Sequence, residues 1–430
     1  MDINTFYLNR INRRSNINRN GDLVFRGFYT GCLNSGNLGD DVLFEIFMGF
    51  LKKAIDKKYN VNCFLEKSLL KWASGNNWVS GCNIGVIGGG SLIHPEEISY
   101  TIGVLKNEKK LLAKFCFGTG ISDTSNFKIP DKNRNELLTG KTKEVDFPVN
   151  DLMKINIDSI SCCNIGGVRG PLDINIAKSI NKKFSKPFIY DPGILLSGLF
   201  THKNNLDSKN IGINLAEVTG EGRIGIKNES YDDYRKRLVD SIFNHCIWIL
   251  DRGYNIIFYS MGEGERGIHE ELIRMINDID KYKDINILCK SFNYGEIESL
   301  VEFCSDLKFC IATRLHANIL LNSFNIPSIC LAYNIKSLNY MMSIESHDLI
   351  IPTNSKLNLK NLVGKFIKLE REYELKRDNL KKNIKRANTL YNNQFKKLIE
   401  ILNIKEPKKV WIYYNEIDTI YGAYEIKIEI

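Results

Sequence analysis

The chain has 430 residues, 43 % of them hydrophobic, and a formal net charge of +9; at roughly 150 residues per domain there is room for two or three domains, each with its own core. The charge is local: residues 357–409 hold 15 Lys and Arg against 6 Asp and Glu and the remainder is near neutral, and with no interleaving of basic and aromatic residues a nucleic-acid partner is not expected. The first residues lack the apolar core of a signal peptide, no apolar run reaches the ~18 residues of a membrane span, and the 11 Cys show neither C-x-x-C pairs nor a Cys/His grid, which predicts free thiols, buried at Cys162–Cys163, in the reducing cytoplasm, with no metal site and no disulfide framework.

Residues 1–20 are polar and basic, the composition of a loose arm. LVFRGFYT (23–30) reads as a first strand, and it enters the turn GCLNSGNLGD before an amphipathic helix from about Asp41. Gly31, Gly36 and Gly39 allow a tight crossing, while Asn34 and Asn37 supply side-chain hydrogen bonds. Asp40 and Asp41 argue against an anion at that helix start and suit capping or the hydroxyls of a sugar. NIGVIGGGSLI (83–93) runs a buried strand into Gly88, Gly89 and Gly90, which let backbone approach a ligand or a helix closely. LLAKFCFGTGIS (111–122) repeats the form. Residues 123–155 are polar, with a helix in their second half. SISCCNIGGVRGPLDINIAKSI (159–180) is expected to be strand, turn and helix, with Arg169 at the turn and Pro171 just inside the helix.

THKNNLDSKN (201–210) marks a boundary. Beyond it NIGINLAEV (210–218) is a strand, followed by a loop with Glu217, Glu221 and Arg223. YDDYRKRLVDSIFNHCIWILDRG (231–253) is a helix closed by Gly253. YNIIFYSM (254–261) then enters GEGERG (262–267), a literal G-x-G-x-x-G. Its two glutamates would face any pyrophosphate, so it is discounted as a dinucleotide loop. After another helix, LKFCIAT (307–313) is a buried strand that delivers Arg314 and His316 to a strand-to-helix turn. Pro327 follows that helix, and SICLAY (328–333) is a second buried strand leading to Lys336. Arg314, His316 and Lys336 therefore sit at the carboxyl ends of two strands, where open α/β sheets bind ligands, and Arg169 occupies the equivalent place in the first half. A lone cation at a strand end is usually a solvated charge; the group together suits a small, doubly anionic substrate. Residues 357–404 are helical and basic, a solvated face, a brace across the first domain or a surface for an anionic membrane. KVWIYYNEIDTIYGAYEIKIEI (409–430) alternates like a hairpin and is expected to be an appendage. The division is 1–20 arm, 21–200 and 201–356 two Rossmann-like α/β domains, 357–405 basic helical segment, 406–430 β-rich tail.

The ordered motifs N-S-G-N-L-G-D-D (34–41), V-I-G-G-G-S-L-I (86–93), F-G-T-G-I (117–121), V-R-G-P (168–171), D-P-G-I-L-L (191–196), I-G-I-N-L-A (211–216), R-L-H-A-N-I-L (314–320) and Y-N-I-K (333–336) together resemble the polysaccharide pyruvyl transferase family. The resemblance implies a GT-B-like fold, two doubly wound Rossmann-like domains facing a cleft. It also implies an enzyme that moves the enolpyruvyl unit of phosphoenolpyruvate onto two hydroxyls of a sugar or glycan acceptor, releasing phosphate and needing no cofactor. By the same resemblance Arg169, His316 and Lys336, with Arg314 beside them, hold phosphoenolpyruvate, and His316 is the acid. Some members carry an Asp after the V-R arginine where this chain has Gly170, which bears on acceptor choice. The chemistry agrees. Phosphoenolpyruvate carries a phosphate and a carboxylate for three cations, protonation at C3 suits an imidazole, and Asp40, ahead of Asp41 and Glu45, is the candidate base, with Asn34, Asn37, Gly89 and Gly90 lining the acceptor side. Two other activities fit the same cleft: a glycosyltransferase using a sugar nucleotide, and a non-catalytic glycan-binding relative. Acceptor sugar and oligomeric state stay open, as does a peripheral place at the inner membrane surface through the basic helix.

Overall fold

The computed structural model describes residues 24–31, 38–59, 63–67, 82–93, 105, 111–121, 151–216, 230–262, 264–292, 296–353, 356–403, 410–418 and 423–429. The apolar runs become the inner strands of two sheets. The first half contains β1 (Val24–Thr30), α1 (Leu38–Tyr59), β2 (Cys63–Lys67), β3 (Ile84–Ile87), β4 (Ala113–Thr119), α2 (Asp151–Ser161), β5 (Ile165–Val168), α3 (Pro171–Ile180) and a 3₁₀ turn at Pro192–Gly198. Here β1, β3, β4 and β5 are parallel neighbours. Strands β3 and β5 are buried along their length, as parallel strands covered on both faces must be.

The second half contains β6 (Asn210–Asn214), α4 (Tyr231–Asp251), β7 (Asn255–Ser260), α5 (Arg266–Asn277), β8 (Leu288–Ser291), α6 (Ile297–Ser305), β9 (Phe309–Ala312), α7 (Leu315–Ser323), β10 (Ser328–Ala332), α8 (Ile335–Ser343) and β11 (Ile350–Pro352). All neighbours pair in parallel, in the order β11-β10-β9-β6-β7-β8. Renumbered within the domain and read from β8, this is the Rossmann order 3-2-1-4-5-6, whose ligand crevice opens at the carboxyl ends of its first and fourth strands, here β6 and β9.

Three segments depart from expectation. Ser159 to Ser161 close α2 instead of starting a strand, because their hydroxyls donate back to the carbonyls of Ile155 and Ile157, both at 2.8 Å, and Ile157 and Ile160 face the core. Of the adjacent cysteines only Cys163 is buried; Cys162 is exposed. The basic segment is two helices, α9 (Leu359–Arg371) and α10 (Tyr373–Leu402), broken at Glu372.

Helix α10 is a brace more than a solvated face. At its start Lys376 is buried and donates at 2.8 Å to both oxygens of Asp348, from the second half of the chain. At its end Phe395 packs 5.3 Å from Phe47 and 5.4 Å from Phe115, and the Tyr391 hydroxyl donates to the carbonyl of Tyr190 at 2.8 Å. Apart from Arg377, which is also buried, its remaining cations lie on the outside. No helix among the described residues is long and apolar enough to cross a membrane.

The C-terminal hairpin is not an appendage. Strands β12 (Val410–Asp418) and β13 (Ala423–Glu429) enter the first sheet between β2 and β1: β12 lies parallel to β2, and β13 antiparallel to β1. Without it the edges of β1 and β2 would present unpaired backbone groups.

Candidate active site

Three chain crossings converge where the two sheets meet. The first is the start of α1. Asp40 lies in its opening turn beside Gly90, whose φ of +87° disfavours any other residue and where a Cβ would stand 2.9 Å from Asp40 Oδ1. The amide of Leu38 donates across to the carbonyl of Met261 at 3.1 Å, so this helix start is tied to the end of β7 in the other domain.

The second crossing follows β5. Arg169 is fully buried, with its guanidinium laid across Gly120, where a Cβ would overlap it. Its Nη1 donates to Ser91 Oγ at 3.2 Å and lies 3.7 Å from Asp191 Oδ2. Asp191 caps the 3₁₀ turn, its Oδ1 accepting from the amide of Gly193 at 2.9 Å. Burial pushes its carboxyl above the usual range, against the pull of His316 and Arg169. The preceding residue, Tyr190, has φ of +73°, an uncommon conformation for a bulky side chain. It is held there by α10, through Tyr391 on its carbonyl and Asn383 accepting from its hydroxyl at 3.0 Å. The brace thus orients Asp191.

The third crossing is β9 to α7. His316, in the first turn of α7, is buried, and its ring packs against Gly39 so closely that a Cβ there would overlap it. Its Nδ1 lies 3.8 Å from Asp40 Oδ1. Burial lowers the imidazole to about 4; Asp191 opposes this, while Lys336, Arg169 and Arg314, in that order, add to it. The ring is therefore neutral at pH 7 in the free protein. Among the described residues, four buried polar atoms of this cluster have no hydrogen-bond partner: Arg169 Nε and Nη2, Asp191 Oδ2 and His316 Nε2. Buried polar atoms are nearly always paired, so their convergence marks a place built for a polar ligand.

Asp40, Gly90, Arg169 and His316 are thus brought together from both halves, and Lys336, half-buried in the first turn of α8, adds its charge. Arg314 is less free than its sequence position implies. Its Nε donates to Glu265 at 2.6 Å, and Glu265 also accepts from Asn214 Nδ2 at 2.7 Å and the amide of Met261 at 2.9 Å. Asn214 and Arg314 stand at the carboxyl ends of β6 and β9, the crevice of the second sheet. Asp41 is buried one residue further round α1, about 100° from Asp40. Gly89 lies against Pro192 and Leu43, a packing role. Asn34 and Asn37 lie outside the described residues, as do Glu217, Glu221 and Arg223.

The residues missed are Ser91, Asp191, Asn214 and Glu265. Two carried a signal: Asp191 opens D-P-G, an Asx-type cap before proline, and Glu265 belongs to the GEGERG loop whose acids were counted only against a nucleotide. An acid in a Gly-rich loop is equally a sign of a cation nearby.

His245 gives a test of burial free of this cluster. Among the described residues both its nitrogens lack hydrogen-bond partners, it stacks 5.6 Å from Trp248, and burial lowers it to about 4. The unfolded chain, at about 6.5, binds a proton there that the folded chain refuses. The stability present above pH 6.5 is thus lost as pH falls toward 4, by at most about 1.4 kcal/mol per pH unit. His245→Phe is expected to flatten the fall in melting temperature between pH 6.5 and 4.5; an unchanged slope would place the proton elsewhere.

Two Rossmann-like sheets with a buried, cationic cluster between them define a GT-B-like α/β protein. Residues 158–335 match the family model described as polysaccharide pyruvyl transferase; that stretch contains Arg169, Asp191, Glu265, Arg314 and His316 and stops one residue short of Lys336. No curated protein matches the sequence. Similar solved structures include Staphylococcus aureus MnaA in a co-structure with UDP (10 % identity, 85 % of this chain and 96 % of that one, TM-score 0.44). Others are UDP-GlcNAc 2-epimerase from Neisseria meningitidis bound to UDP-GlcNAc (11 %, 83 % and 96 %, 0.37) and α,α-trehalose 6-phosphate synthase from Burkholderia multivorans (8 %, 74 % and 70 %, 0.38). Likeness at this level carries nothing about activity, and the fold assignment rests on the sheet order itself.

Proposed function

We propose that the protein is a phosphoenolpyruvate-dependent ketal pyruvyltransferase acting on a sugar hydroxyl pair. One observation carries this most directly: the partnerless Arg169 and His316 atoms, buried beside Asp40 and in the field of Lys336, form a cationic pocket with an acid and a base candidate. Arg169 and Lys336 take the carboxylate and phosphate of phosphoenolpyruvate. Burial first, and then the cations, hold His316 neutral; the ligand's negative charge opposes both, so the imidazole gains its proton as the ligand binds. His316 then gives the proton to C3, which becomes the methyl group. One acceptor hydroxyl forms a C–O bond at C2 as Asp40 takes its proton. The second hydroxyl forms the other C–O bond at C2 as the C2–O bond to phosphate breaks, its proton leaving with phosphate.

A thermal-shift titration with phosphoenolpyruvate beside UDP- and GDP-sugars tests the proposal, since a ligand that binds only the folded state raises its stability. A saturable shift with phosphoenolpyruvate, weakened in Lys336→Ala, is expected. Unchanged affinity in that variant would remove Lys336 from the pocket. A shift with a sugar nucleotide alone would favour the glycosyltransferase, whose one supporting feature is the Asn214–Glu265–Arg314 cluster at the second-sheet crevice. No shift with either leaves the non-catalytic glycan binder.

A further inference from the structure

Helix α8 carries Lys336 from the second domain, and three residues further along the same face it carries Asn339. Asn339 is almost wholly buried, 1 % exposed, and reaches into the first domain. Its Nδ2 donates to Asp173 Oδ2 at 2.7 Å, and its Oδ1 accepts from the amide of Leu172 at 2.9 Å. Asp173 in turn accepts from the amide of Gly170 at 2.9 Å and from that of Ile121 at 2.8 Å. Those amides immediately follow Arg169 and Gly120, the residue that bears the guanidinium and the residue it lies across. One hydrogen-bonded node therefore joins both backbone supports of Arg169 to the helix that bears Lys336. Gly170 is the condition for it: its backbone is extended (φ −154°) and open to any residue, but a Cβ there would overlap the Asn339 carboxamide.

We infer that Asn339 is a positioning residue that sets the spacing of Arg169 and Lys336, matching the pocket to the two anionic groups of phosphoenolpyruvate; this rests on the function proposed above. It also gives Gly170 a reason. Where a side chain would otherwise follow the V-R arginine, the second domain supplies a carboxamide.

The test compares wild type, Asn339→Ala, Gly170→Ala and the double variant by thermal shift with phosphoenolpyruvate and by steady-state kinetics once an acceptor is in hand. Each single variant is expected to raise the Kd and KM for phosphoenolpyruvate about 10- to 100-fold, the change expected when a charge-assisted hydrogen bond to the ligand is weakened. The KM for acceptor and kcat should move far less. The double variant should be no worse than Asn339→Ala, because the overlap that harms Gly170→Ala is then gone. A merely structural bond would instead lower melting temperature and every kinetic constant together. If wild type binds phosphoenolpyruvate and both single variants bind it equally well, the positioning role is overturned and the functional proposal stands. If wild type shows no shift, the functional proposal falls first. Should Asn339→Ala fail to fold, Gly170→Ala alone decides between the outcomes.

Discussion

His316→Ala is expected to lower turnover by roughly 10²–10⁴ while the protein folds normally. Among the described residues Nε2 has no hydrogen-bond partner and Nδ1 stands 3.8 Å from Asp40, so removing the ring costs the fold little bonding. What is lost is the proton. In the free protein the imidazole is held at about 4 by burial and by the neighbouring cations, so it acts as an acid only after phosphoenolpyruvate brings in opposing charge. Calorimetry in two buffers of different ionisation enthalpy should therefore show more proton uptake on phosphoenolpyruvate binding near pH 6 in wild type than in His316→Ala, where only the ligand's phosphate, with its second pKa at about 6, exchanges protons. A wild-type rate in the variant would end the assignment. Equal proton uptake in both would leave His316 without its acid role.

Arg169→Ala is expected to damage both fold and site, and the two effects can be separated. Removing the cation leaves Asp191 buried with one oxygen unpartnered. Breaking a buried pair in this way costs about 3–5 kcal/mol, a large share of the ~5–15 kcal/mol that holds a domain together. The single variant should therefore melt far below wild type. Arg169→Met with Asp191→Asn replaces both charges at once and should recover most of the stability, since the pair's neutral replacement carries no unpaired charge. The same double variant should show no shift with phosphoenolpyruvate. Normal binding there would remove Arg169 from the ligand pocket; failure to recover stability would mean that Asp191 was not the source of the damage.

Both variants act on residues that the sequence exposes. Arg169 and His316 stand at strand ends because apolar runs, glycines and prolines are local signals, and strand ends are where α/β sheets present chemistry. Other residues around the cluster were less visible. Glu265 looked like an objection to a nucleotide loop, yet its carboxylate is held by Asn214 and Met261 and grips Arg314. Asn339 looked like an ordinary helix position. Such pairings join residues far apart in the chain, up to 167 positions for Asn339 and Leu172, and no periodicity records them.

The sequence by itself determined the α/β alternation and the cationic residues at the strand ends, because each follows from neighbours a few positions away. The tertiary structure decided the rest. It seated the C-terminal hairpin inside the first sheet, where β13 meets β1 almost four hundred residues upstream. It turned a basic helix into a brace that holds Tyr190 and orients Asp191. It also set Asp40 against His316 across the two domains. The physical reason is common to all three: open strand edges, apolar helix faces and buried charges each need a partner, and sheet order and domain packing decide which distant residue supplies it.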